Sequence, residues 1–115
     1  MSEHLSHFER LLAEMNTSGA SDLFLSEGKP TAQKLNGEIH PMEGSPISKE
    51  FLQSVLGLIL RPAQREQFER GGDLDVGLSL PNVGRFRLNL HMQRGLMGIV
   101  ARRVPPGNVG FESLG

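Results

Sequence analysis

Apolar residues near the start of the chain recur at the three- and four-residue steps of an amphipathic helix. They are Leu5, Phe8, Leu11, Leu12 and Met15. This spacing places all five side chains on one helical face, which predicts a helix packed against a core. Gly19 follows and predicts the end of the helix, because glycine accepts the left-handed conformation that helix ends favour.

The pattern then changes to short strands and a tight hairpin. Residues 21–26 (SDLFLS) predict a strand. Residues 31–35 and 38–42 flank Asn36-Gly37, the strongest short hairpin signal, because both residues tolerate positive φ.

Two further helices follow a loop that is rich in proline and glycine. Ser48 is suited to cap the second helix, and Pro62 to begin a third, short helix that ends at Gly71-Gly72. The residues expected on the buried face of the second helix are Phe51, Leu52, Val55, Leu58 and Ile59.

The last third of the chain alternates between apolar and polar residues with the two-residue period of strands. Residues 73–80 and 85–93 alternate without error, and residues 96–104 return after a turn at Arg94-Gly95. The middle strand has an apolar side of Phe86, Leu88, Leu90 and Met92, and a polar side of Arg85, Arg87, Asn89, His91 and Gln93. The pattern predicts an α+β fold: a mostly antiparallel sheet of five or six strands with helices on one face.

Composition fits a single folded domain. The chain has 115 residues, of which 37% are hydrophobic and 22% charged. It has no cysteine, which excludes disulfides and thiolate metal sites and suits a reducing cytosol. No apolar run approaches the roughly 20 residues of a membrane span, and the N-terminus lacks the features of a signal peptide.

Positive charge is concentrated in the last hairpin. Between Val76 and Phe111 there is no acidic residue, and the segment carries a net charge of +5. The seven other basic residues and all thirteen acidic ones lie elsewhere, which leaves −6 for the rest of the chain. The five arginines are Arg85, Arg87, Arg94, Arg102 and Arg103. A cluster of this kind suggests an anionic partner.

A two-residue loop at Arg94-Gly95 would place Arg87 directly opposite Arg102, with Arg85 one pleat away. Like charges in this arrangement cost up to about 1 kcal/mol, and arginine suits bidentate contacts with phosphate or carboxylate. An anion bound between the two arginines is therefore one interpretation. The other is an ordinary solvated sheet face whose arginines pair with carboxylates from elsewhere in the chain.

The register itself leaves an alternative open. A three-residue loop with a bulge would pair Arg102 with Phe86 and weaken the argument for an anion site.

Other candidate residues are weaker. Asp73 and Asp75 share a predicted strand face, although such carboxylates are more often solvated or paired than catalytic. Ser21-Asp22 is most simply explained as a pair of turn-forming residues before the strand. The spacing of Met92 and Met97 predicts core positions.

Metal and nucleic-acid sites are not expected. The four histidines form no cluster of ligands with a known spacing, so we predict no metal site. The chain has no Trp or Tyr on which bases could stack, its net charge is −1, and it has no phosphate-binding GK[ST] loop.

Several strings, in this order, resemble the N-terminal domain of type IV pilus retraction ATPases, the PilT/PilU twitching-motility motors of the secretion-ATPase superfamily. They are residues 20–23 (ASDL), 28–30 (GKP), 35–38 (LNGE), 64–69 (QREQFE), 74–76 (LDV), 84–89 (GRFRLN), 93–95 (QRG), 100–104 (VARRV) and 111–115 (FESLG). Residues 95–104 resemble the PilU branch more closely. Phe24 departs from the histidine that many members carry, so no role of that histidine is transferred.

The resemblance implies a PAS-like fold for residues 1–115. It also implies that residues 105–115 begin a linker to a RecA-like ATPase domain beyond Gly115. In such motors this domain packs on the ATPase domain of a neighbouring subunit of a homohexamer. Its arginines then reach the phosphates of ATP. The matching positions are Arg87 and Arg102, with Arg85, Arg94 and Arg103 as neighbours.

The resemblance further implies that ATP and Mg²⁺ are bound mainly by the absent domain, so this chain holds no catalytic residue of its own. It implies a cytoplasmic motor at the inner membrane, in contact with pilus platform proteins. Two other functions remain as alternatives. One is a free-standing PAS-like ligand-binding module, which needs a cavity with convergent polar groups. The other is a small nucleic-acid-binding domain that uses the basic sheet face.

Overall fold

The computed structural model describes residues 3–71 and 73–105. The elements in this part of the chain are α1 (Glu3–Ser18), β1 (Asp22–Ser26), β2 (Ala32–Leu35), β3 (Glu38–Pro41), α2 (Lys49–Ile59), α3 (Pro62–Glu69), β4 (Leu74–Leu80), β5 (Gly84–Gln93) and β6 (Leu96–Val104). The predicted helix end at Gly72 and residues 106–115 of the predicted linker lie outside the described residues. Each of the predicted helices and strands is present within a residue or two of its expected bounds.

The strands form a single antiparallel sheet with the order β3-β2-β1-β6-β5-β4. Neighbouring strands pair antiparallel throughout, so the first and last strands of the described chain lie side by side in the middle of the sheet. The α+β class and the antiparallel sheet are therefore confirmed, with six strands.

The core lies between the helices and one face of the sheet. Leu23 pairs with Ala101 and Leu25 with Ile99 across β1 and β6, and all four side chains are buried. From α1 the core receives Phe8, Leu11, Leu12 and Met15. Because successive strand residues point to opposite faces, this burial leaves the polar positions of the same strands on the face away from the helices.

Helix α2 begins as predicted. The Ser48 Oγ accepts a hydrogen bond from the backbone N–H of Phe51 at 3.0 Å. Ile47 and Leu52, on either side of the cap, are both buried, as a hydrophobic staple requires.

The prediction that Leu58 is buried was wrong. Leu58 is 43% exposed, whereas Leu56, which was not predicted, is 2% exposed. The buried stripe runs through Leu52, Val55 and Leu56, the i, i+3 and i+4 positions of one helical face. Leu58 follows the buried Phe51 by seven residues and the buried Val55 by three, so it lies at the edge of this helical face, in the last turn of α2, where its side chain is left partly exposed.

Both tight hairpins have the predicted two-residue loops. Asn36 and Gly37 have φ angles of 52° and 82°, and Arg94 and Gly95 have φ angles of 55° and 79°. Positive φ at both central residues is the type I′ geometry, whose twist matches that of the flanking strands. The β5–β6 register pairs Gln93 with Leu96, so the bulged alternative does not occur.

Met92 does not occupy the predicted core position. It is 41% exposed, whereas its cross-strand partner Met97 is 7% exposed. Leu96, beside the turn, is also exposed. On β5 the buried cluster ends at Leu90, whereas on β6 it still includes Met97, so only the β5 side of the hairpin is exposed at this level.

Leu90→Ala should lower the free energy of unfolding by about 2–5 kcal/mol, because it empties a fully buried site in a central strand. Met92→Ala is the matched control on the same strand face, and its cost should stay below about 1 kcal/mol. Urea denaturation monitored by circular dichroism measures both. Equal losses would contradict the position of the core boundary.

Ser48→Ala should cost about 1 kcal/mol, since it leaves the N–H of Phe51 without its acceptor. Ser48→Asp keeps an acceptor at the cap and should retain most of the stability. Thermal unfolding of the two variants compares them, and an unchanged midpoint for Ser48→Ala would show that the cap contributes nothing.

Candidate functional site

On the sheet face opposite the helices, one residue from each of the six strands forms a row, and the four central members of this row are charged. Strand pairing places the members of the row side by side, one from each strand. In spatial order they are Ile39, Lys34, Asp22, Arg102, Arg87 and Gly77. We call this set the charged row.

Arg87 and Arg102 face each other at the centre of the β5–β6 pair, as the two-residue loop predicted. Directly opposite residues in an antiparallel pair have Cα atoms about 4.5–5.5 Å apart. Both side chains are exposed. They line an open surface cavity of ≈ 360 Å³, together with Asp75, Leu88, Asn89 and Val100.

Arg102 forms an ion pair with Asp22. The Arg102 Nε donates to Asp22 Oδ1 at 2.9 Å. The two side chains differ in environment, because 69% of the Arg102 side chain is exposed but only 8% of the Asp22 side chain. The hydrogen bond to Asp22, followed by the charge of its carboxylate, raises the pKa of Arg102 above its ordinary value, while partial desolvation opposes the rise.

The interpretation of Ser21-Asp22 as turn chemistry was therefore wrong for Asp22. This residue is the first of β1 and pairs directly with Arg102 on the neighbouring strand. The two residues are 80 positions apart in sequence, so no local pattern could reveal the contact. For Arg102, the view that sheet arginines pair with carboxylates from elsewhere in the chain is correct.

Arg87 has a different environment. Among the described residues, no carboxylate lies within ion-pair distance of its guanidinium. Its neighbours in the charged row are Arg102 on one side and Gly77 on the other. Gly77 has open space where a Cβ would stand, so the surface beside Arg87 is uncrowded. The pair thus combines one arginine that has a carboxylate partner with one that forms no ion pair among the described residues.

A short chain of hydrogen bonds borders the arginine pair. Asn89 Nδ2 donates to Asp75 Oδ1 at 3.1 Å, and His91 Nδ1 lies 3.3 Å from Asn89 Oδ1. Because that amide oxygen accepts, His91 donates from Nδ1. The imidazole covers Gly98, where a Cβ would collide with it. Asp75 is thus paired with Asn89, while Asp73 precedes the strand and is exposed.

The other three arginines differ in their distance from the Arg87–Arg102 pair and in the sheet face on which they lie. Arg85 is on the same face, one row away, opposite Ser79 and Val104. Arg94 is in the hairpin turn, seven residues from Arg87 and thus about 24 Å along the strand. Arg103 pairs with Phe86 and lies on the helix-covered face.

Within residues 3–71 and 73–105, no group of three His, Asp or Glu side chains is arranged to hold a metal ion. His4 and His7 instead pack their rings against Phe51, and His4 contacts Ser54 Oγ at 3.0 Å. None of the helices in this part of the chain has the length and apolarity to cross a bilayer.

Sequence comparison relates the chain to two pilus ATPases of Pseudomonas aeruginosa. It is 35% identical to the type IV pilus ATPase PilU over 107 residues, which cover 93% of this chain and 28% of PilU. It is 32% identical to the type IV pilus retraction ATPase PilT over 105 residues, which cover 91% of this chain and 30% of PilT. The chain therefore spans less than a third of these relatives. No family model matches the sequence.

Solved structures share the fold. The crystal structure of the pilus retraction motor PilT with bound ADP superposes with a TM-score of 0.75 and 28% identity, covering 85% of this chain and 29% of that one. The Legionella pneumophila ATPase DotB also has a TM-score of 0.75, at 22% identity, over 92% of this chain and 33% of that one. At that identity DotB supports the fold alone. The similarity to PilU and PilT along most of the sequence, together with the PilT fold, places this chain among the N-terminal domains of PilT/PilU-like secretion ATPases.

Proposed function

We propose that this domain supplies Arg87 and Arg102 to the phosphates of an ATP molecule held by an ATPase domain, in a hexameric motor that retracts type IV pili. The observation that carries the proposal is the Arg87–Arg102 pair itself, two facing cations on an exposed sheet face. A nucleotide triphosphate would relieve the repulsion between them, and arginine donors suit its oxygens.

The chain would supply only part of such a site. Its sequence has no GK[ST] loop, so the cradle for the phosphates and the residues that hold Mg²⁺ would belong to the ATPase domain. The role of this domain is then electrostatic. Arginines aimed at a transferring phosphoryl group stabilise the charge that develops on its equatorial oxygens.

The geometry of the sheet suits a site between two domains. The helices cover one face, and the charged row lies on the other. A second domain could therefore approach the arginine pair without rearranging the core. A neighbouring subunit's ATPase domain in a homohexamer is the occupant that we propose for this face.

The wider setting is proposed from the relatives. PilU and PilT are named as type IV pilus ATPases, and the PilT structure binds ADP. By analogy, residues 105–115 begin a linker to a RecA-like ATPase domain, and the motor works in the cytoplasm against inner-membrane platform proteins. The relation to PAS domains and the participation of Arg85, Arg94 and Arg103 remain predictions.

Arg87→Ala and Arg102→Ala, each in the protein that carries both domains, should lower kcat for ATP hydrolysis by about 10³-fold, the smaller end of the range for a lost arginine finger. The hexamer should persist, because each substitution shortens a single side chain of the face that meets the neighbouring subunit and leaves the core intact. Steady-state ATPase assays and size-exclusion chromatography measure the two properties.

Arg65→Ala is the matched control, since Arg65 is an arginine on α3 whose ion-pair partner among the described residues is Glu69, at 3.4 Å. It should hydrolyse ATP at the normal rate. Normal turnover in both Arg87→Ala and Arg102→Ala would refute the proposed role. The 115-residue chain alone should show no ATPase activity.

A further inference from the structure

We propose that Asp22 is a positioning residue, which holds the Arg102 guanidinium ready for a phosphate while leaving its terminal nitrogens available. This inference rests on the function proposed above and adds a third residue to the site. No resemblance or comparison assigned a role to Asp22; the ion pair with Arg102 carries the argument.

Asp22 is fixed from several sides. It is 6% exposed and belongs to β1, which is paired on both edges. Its Oδ2 accepts from Ser21 Oγ at 3.2 Å while its Oδ1 accepts from Arg102. A carboxylate held in this way is a rigid anchor, unlike the flexible and exposed glutamates of the surface ion pairs on α3.

Arg102 contacts Asp22 through its Nε atom, which leaves the terminal nitrogens of the guanidinium for another ligand. A guanidinium has five N–H donors, one on Nε and four on the two terminal nitrogens. Asp22 takes the Nε donor. Among the described residues, no other hydrogen bond or ion pair of Arg102 is found, so the four terminal donors remain available. These are the donors that bind phosphate oxygens in a bidentate manner.

An ion pair through the terminal nitrogens would have had the opposite effect, because Asp22 would then compete with phosphate for the same donors. The Nε contact restrains the side chain without that competition. Arg102 is therefore ordered before a nucleotide arrives, which lowers the entropic cost of engaging it. Arg87 has no such anchor in the part of the chain that the structure describes, so we propose that the ligand itself orders it.

The Asp22 carboxylate also reduces the electrostatic repulsion between Arg87 and Arg102 when no phosphate is bound. Asp22 is adjacent to Arg102 on the side away from Arg87. Its charge offsets part of the repulsion between the facing arginines. The phosphate is then attracted mainly by Arg87, which forms no ion pair among the described residues, and is oriented by the anchored Arg102.

The test measures ATP hydrolysis by the protein that carries both domains, with Asp22→Ala and Asp22→Asn. Asp22→Ala should lower kcat by about tenfold or more, the scale of one charge-assisted hydrogen bond, with a smaller change in KM. Asp22→Asn keeps an oxygen that accepts from Nε and should recover part of that loss. Glu66→Ala, which breaks the 3.0 Å ion pair with Arg70 on α3, should leave kcat unchanged.

The decisive comparison is a double-mutant cycle with Arg102→Ala. If Asp22 acts through Arg102, then adding Asp22→Ala to Arg102→Ala should lower kcat no further. An equal loss from Asp22→Ala in both backgrounds would overturn the proposal, because it would show an effect independent of Arg102. Thermal unfolding of each variant, with the near-isosteric Asp22→Asn, separates this result from a general loss of folding.

The remaining outcomes separate the two proposals. If Arg102→Ala lowers kcat but Asp22→Ala does not, the positioning role is refuted and the arginine site stands. If Arg102→Ala leaves kcat unchanged, the proposed function of Arg102 fails, and the positioning role of Asp22 fails with it.

Discussion

The antiparallel pairing of β1 with β6 is the interaction on which both faces of this domain depend. On the covered face it joins Leu23 to Ala101 within the core. On the open face the same register joins Asp22 to Arg102. A shift of one residue would exchange the two faces, burying the guanidinium and exposing the leucine. Core packing and the geometry of the arginine pair are therefore set by a single register.

Local patterns in the sequence were sufficient to predict the hairpin, with facing arginines in one of its two possible registers. The alternation along residues 85–93 gave the two faces of β5, and Arg94-Gly95 gave the loop length. These two constraints fix the register, because a two-residue type I′ loop allows one pairing of its flanking strands. The pairing of Arg87 with Arg102 was one of the two registers that about twenty consecutive residues allowed, and it is the register that the structure has.

The features that sequence analysis missed depend on distant parts of the chain. The partner of Arg102 is on a strand 80 residues away, and only the order of strands in the sheet brings Asp22 beside it. Met92 has the right period for the core, but period does not tell where the covering helices end. Leu58 is a similar case, because it follows the buried Phe51 by seven residues and so has a period that fits the core, but it lies at the edge of that face in the last turn of α2.

The unequal sequence separations along the charged row also bear on the order of folding. Arg87 and Arg102 meet when a two-residue loop closes, whereas Asp22 must close a separation of 80 residues to reach Arg102. Short loops close faster and at lower entropic cost than long ones. We therefore expect the facing arginines to form before their carboxylate docks, which pulse-labelled hydrogen exchange of β5 and β1 would detect. The folding domain would then pass through a stage in which Arg87 and Arg102 face each other without a carboxylate. Docking of β1, which brings Asp22 to Arg102, would end that stage.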